Sequence, residues 1–128
     1  MGENSHRVSD EVDSWSRLVT LIEYRLDTPI RDHQLIVEFW RAGMRDAELR
    51  EHGRENWARY RAHFLEIVVE GCDAGEFTPT LDPDEVVDLL MATLAGAMVS
   101  GALQFPGPMA GLFRNALLQQ VAQMLGRA

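Results

Sequence analysis

The sequence predicts an all-α protein, a bundle of five helices. Apolar residues recur every three or four positions in five successive segments, no segment alternates with the period of two that marks a half-buried strand, and start and stop signals bound the segments. At 128 residues, 46% hydrophobic and 25% charged, the chain is expected to form one soluble domain with a single core that needs no covalent staples. Residues 1–8 read as a polar tail and residues 9–128 as the domain.

The first helix is expected to open at Ser9, whose side chain can cap free amides, with Asp10 and Glu11 in the turn where the dipole favours acids. Val12, Trp15, Leu18, Val19, Ile22 and Leu26 follow at helical spacing. Asp27-Thr28-Pro29 ends this helix and opens the second, with Thr28 as cap and Pro29 at the first position. The second helix, about residues 29–43, carries Ile36, Phe39, Trp40 and Met44 on one side and Arg31, Asp32 and Glu38 on the other. Asp46 can cap the third and longest helix, about residues 47–74. Leu49, Gly53, Trp57, Tyr60, Phe64, Ile67, Val68 and Gly71 trace a single stripe along it. Gly75 suits the left-handed position that closes a helix, and Phe77 can then fold back onto the core.

The fourth helix, about residues 83–104, has a complete start signal: Asp82 as cap, Pro83 at the first position and Glu85 at the third. After Asp88 no charge appears until Arg114, and residues 89–103 are apolar or small on every face. Such a helix must be covered all round. Residues 89–105 sit at the short limit of a membrane span, roughly 17–25 residues, and lack flanking basic side chains. No membrane is expected; the favoured cover is the chain's own core on one face and a second copy on the other, and a helix wholly internal to the chain is the alternative. Ala92, Gly96 and Ser100 recur at i, i+4 and i+8, a face almost without side chains that lets another helix come close. Phe105-Pro106-Gly107-Pro108 forces a turn. The fifth helix, about residues 109–126, shows Leu112, Phe113, Ala116, Leu117, Val121, Met124 and Leu125 on a broad apolar face. A homodimer through the last two helices follows, with Ala92, Gly96, Ser100, Leu103, Leu117, Val121 and Met124 at the contact.

Chemistry is sparse. No phosphate loop, nucleophile elbow or serine–histidine–acid arrangement is present, so no catalytic residue and no cofactor are expected. The histidines are His6, His33, His52 and His63; Glu48 with His52, and His63 with Glu66, lie one turn apart, but two ligands do not close a metal site. Cys72, the single cysteine, forms no internal disulfide and reads as a small buried hydrophobe. The net charge is −8, with all 20 acids at or before Asp88, and no basic face exists for releasing counterions from phosphates, so this chain is not expected to bind nucleic acid itself. The first ten residues are polar and show no secretory apolar segment, so the cytoplasm is the default expectation. Trp40, Met44, Trp57, Tyr60, Phe64, Met91 and Met98 could line a cavity, with Tyr60 and His63 as polar anchors for an uncharged or weakly polar, partly aromatic molecule. The same side chains could equally fill the core.

From Phe39 onward the chain resembles the C-terminal regulatory domain of TetR-family transcriptional repressors. The resemblance is carried by Phe39-Trp40-Arg41-Ala42-Gly43-Met44-Arg45-Asp46-Ala47-Glu48-Leu49-Arg50 and by the turn Gly71-Cys72-Asp73-Ala74-Gly75-Glu76-Phe77. It continues in the helix opened by Asp82-Pro83, which reads Leu94-Ala95-Gly96-Ala97-Met98 where the family often has Leu-Asp-Gly-Leu. It implies a four-helix dimer bundle built from the last two helices of each copy, and an effector pocket surrounded by the preceding ones. The family's N-terminal helix-turn-helix has no counterpart in residues 1–8. The expected role is an effector-sensing, dimerising domain; a ligand-free interaction module, pairing with itself or with a full-length regulator, is the alternative.

Overall fold

A computed structural model describes residues 13–106 and 110–127. Five helices are present and, among the described residues, no strand: α1 Ser14–Leu26, α2 Ile30–Gly43, α3 Ala47–Asp73, α4 Pro83–Ala102 and α5 Ala110–Met124. His6, Ser9, Asp10, Glu11, Val12, Gly107, Pro108 and Met109, and the side chain of Leu112, lie outside the described residues.

Local chemistry sets most boundaries. Asp13 caps α1, its carboxylate accepting from the Ser16 amide at 2.8 Å. That contact with Ser16 holds the Asp13 carboxyl below its ordinary pKa. Thr28 does not cap α2. Its hydroxyl donates instead to the Tyr24 carbonyl at 3.2 Å, and α2 starts after Pro29, whose carbonyl accepts from the His33 amide at 3.1 Å. Asp46 Oδ1 accepts from the Glu48 and Leu49 amides at 2.9 and 3.1 Å and starts α3. Before α4, Glu85 accepts from the Asp82 amide at 3.1 Å, with Pro83 at the first position.

The turn after α3 ties three elements together. Gly75 takes φ +77°, which a side chain would strain. The Glu76 and Phe77 amides both donate to the Gly71 carbonyl, at 2.8 and 3.1 Å. The chain therefore doubles back and lays the buried Phe77 ring on Gly71, where a Cβ would collide with it. Glu76 then reaches the start of α1, and its two carboxylate oxygens accept from the Ser14 and Trp15 amides at 3.0 and 2.9 Å. A carboxylate on free helix-start amides is well placed for both hydrogen bonding and the helix dipole.

Helices α3 and α4 form the central pair. Helix α2 packs on both, α1 packs on both, and α5 closes the α1/α4 side. The core is built from Leu18 and Ile22 of α1, Phe64, Ile67 and Val68 of α3, and Phe77. Val86, Val87, Leu90, Met91 and Leu94 of α4 and Leu117, Val121 and Leu125 at the end of the chain complete it. Helix α2 contributes no side chain to this cluster. Its buried residues are His33, whose ring nitrogen lies 3.4 Å from the Arg25 carbonyl, and Gly43. Ion pairs tie the helices at the surface: Arg17 to Glu70 at 2.5 Å, Arg61 to Asp84 and Asp88 at 2.9 and 2.7 Å, and Arg114 to Asp27 at 2.5 Å. Such exposed pairs fix register more than they add stability.

Helix α4 is long and apolar enough by length and composition to cross a membrane, with a mean hydropathy of 1.4. Its position accounts for part of that composition, since 39% of that stretch is buried inside the protein. Val86, Val87, Leu90, Met91, Leu94, Met98 and Ala102 are buried against the core and the α2 side.

Candidate functional site

A cavity of about 270 Å³ lies where α2, α3 and α4 meet, closed at one end by the last turn of α1. Leu35, Ile36, Phe39 and Trp40 line it from α2; Gly53, Asn56, Trp57, Tyr60 and Phe64 from α3; Met91, Leu94, Ala95 and Met98 from α4; and Arg25 from α1. It exists because α2 stands on the central pair without inserting a side chain into the core. The large α2 side chains line a hollow instead of filling it. Trp40 and Trp57 meet edge to face, with centroids 6.4 Å apart. They also wall a second, shallower groove of about 540 Å³ together with Phe39, Gly43, Met44, Leu49, Arg50, Gly53 and Arg54. Trp57 and Tyr60 remain 38% and 41% exposed, so solvent reaches this side of the cavity.

Of the side chains expected at a ligand, Trp40, Trp57, Tyr60, Phe64, Met91 and Met98 come together around the cavity. Met44 stands apart, 71% exposed on the outer groove, because it lies beyond the last turn of α2. His63 lines neither hollow and is exposed, being one position off the α3 stripe. Arg25 and Asn56 are not marked by apolar spacing, since each is polar and becomes a wall residue only once α1 and α3 are placed. The Arg25 guanidinium carbon sits 3.5 Å from the centre of the Tyr60 ring, stacked on its face.

The contact residues expected for a second copy divide. On α4, Ala92, Gly96, Ser100 and Leu103 are exposed in one row with Leu89 and Thr93, and a Cβ at Gly96 would meet open space. On α5, Leu117 and Val121 are enclosed in the protomer's own core, and Met124 is partly buried against it. Among the described side chains of α5, those that face outward are Asn115, Ala116, Gln119, Gln120 and Gln123. Cys72 is half-buried against the core; burial, followed by the charge of Asp73, pushes its thiol pKa up, away from reactivity.

A family model described as the C-terminal domain of BetI-type transcriptional repressors matches residues 16–126. Comparison with curated proteins and with solved structures yields no match.

Proposed function

We propose, from the premise that the chain belongs to the family of BetI-type transcriptional repressor C-terminal domains, that it senses an effector and dimerises on behalf of a TetR-like regulator. A small, largely apolar ligand occupies the cavity between α2, α3 and α4. The observation that carries this reading is unfilled volume walled by aromatic and thioether side chains. Side chains of this kind give large, adaptable apolar contact. The volume of about 270 Å³ lies just below the usual range for ligand pockets, roughly 300–1,000 Å³, and the groove beside it shares Phe39, Trp40, Gly53 and Trp57 as walls. Burying about 200 Å² of apolar ligand surface contributes roughly 5 kcal/mol before association costs, so useful affinity also needs polar anchors. Tyr60 is one such anchor.

The partner in this reading is a second copy, seated on the exposed small-residue row of α4, at Ala92, Gly96, Ser100 and Leu103, and on the outer face of α5. The helices approach closely there because Gly96 carries no side chain. The chain works in the cytoplasm and leaves DNA contact to another domain, since its net charge of −8 opposes phosphate binding.

A thermal-shift screen of small aromatic and aliphatic compounds tests the cavity, because a ligand that binds only the folded state raises the melting temperature. Hits are expected to vanish in Trp57→Ala; hits that persist unchanged in that variant move the site elsewhere. Sedimentation tests the dimer. A monomer at micromolar concentration overturns it, and Gly96→Leu is expected to weaken it.

A further inference from the structure

We infer that the cavity selects a monoanion, an apolar body ending in one carboxylate, and that Arg25 holds that carboxylate. This rests on the cavity being the ligand site. No Asp or Glu lines the cavity or the adjoining groove; the charged residues of the two walls are Arg25, Arg50 and Arg54. That is the reverse of the chain as a whole, which carries a net charge of −8. Among the described residues Arg25 has no carboxylate within ion-pair distance; it shares this with several surface arginines, but it alone of them lines the cavity.

The geometry leaves Arg25 ready for an anion. Stacking on Tyr60 occupies a flat face of the guanidinium and holds its plane, while the N–H groups at its edge stay free to donate. A planar carboxylate matches that edge with two parallel hydrogen bonds. Nearby, Asn56 also lines the cavity, and its amide nitrogen can donate to a carboxylate. Arg25 is the one charged group of the lining and only donates, Tyr60 and Asn56 can each donate or accept, and the rest of the lining is apolar. A neutral ligand would leave the guanidinium paired only with water, whereas a carboxylate gives it a charged acceptor.

The test titrates the full chain with decanoate, cinnamate and naphthoate, each beside its primary amide, following Trp40 and Trp57 fluorescence or heat. The expected result is at least one acid bound about tenfold or more tighter than its amide. Arg25→Gln is expected to abolish that preference, and Arg25→Lys, which keeps the charge and loses the fork, to keep part of it. Amides bound as tightly as their acids, with binding lost in Trp57→Ala, overturn the anion assignment while leaving the cavity reading intact. A preference for acids that survives Arg25→Gln overturns it too. No binding by any of these compounds overturns both.

Discussion

The two halves of α3 carry one continuous apolar stripe and meet different surroundings. In residues 64–71 the stripe is sealed from solvent: Phe64, which also borders the cavity, Ile67 and Val68 are buried among α1, α4 and α5 side chains, and Gly71 is covered by the Phe77 ring. In residues 49–60 the stripe is as regular, yet Trp57 and Tyr60 stay over a third exposed and face a hollow. The spacing is the same, and so is the helix. What differs is the neighbour. The first half packs on helices that send residues into the core, and the second on α2, which sends none. Periodicity states which side of a helix seeks cover; how completely it is covered depends on the element opposite.

The largest expected effect is Phe64→Ala in the sealed half. Removing a buried ring should cost about 3–5 kcal/mol, read as a lower denaturant midpoint. A loss under about 1 kcal/mol would mean that the boundary between the halves lies further along the helix. Next is Gly71→Ala. Its Cβ meets the Phe77 ring, which is fully enclosed and has little room to give, so a loss of about 1–3 kcal/mol is expected. Trp57→Ala in the open half should cost only about 1 kcal/mol, mostly its edge-to-face contact with Trp40.

The sharpest contrast is the other glycine of the stripe. A Cβ at Gly53 would sit 3.7 Å from the Phe39 ring, an ordinary contact, so Gly53→Ala should raise stability by about 0.5–1 kcal/mol through helix propensity. Two Gly→Ala changes on one stripe should thus have opposite signs; equal signs would break the comparison. The smallest effect concerns Asp88, whose carboxyl lies below its ordinary pKa because the Arg61 guanidinium donates to it. A lowered folded pKa adds stability above the unfolded value, near about 3.9, and that stability is lost as pH falls through the folded one. Asp88→Asn should therefore lower the midpoint slightly at neutral pH, and the difference should close under acid conditions. A difference that persists unchanged in acid would show that the pair adds nothing through its charge.

The five helices, the cap at Asp46, the reach of Glu85 back to Asp82, the left-handed Gly75 and the apolar stripes were legible in the sequence, because these depend on residues within a few positions of one another. The sequence also marked six cavity side chains, since each lies on an apolar face. It could not tell Leu117 and Val121, enclosed by their own protomer, from residues left outward on the same helix, because period alone does not say which neighbour a face meets. Thr28 shows the same limit at short range, where two acceptable partners compete and the preceding turn wins. Glu76 capping α1 and Arg25 stacked on Tyr60 each join residues far apart in the chain. Only the tertiary structure decided these, and the cavity with them, because open volume depends on how far one helix stands from its neighbours.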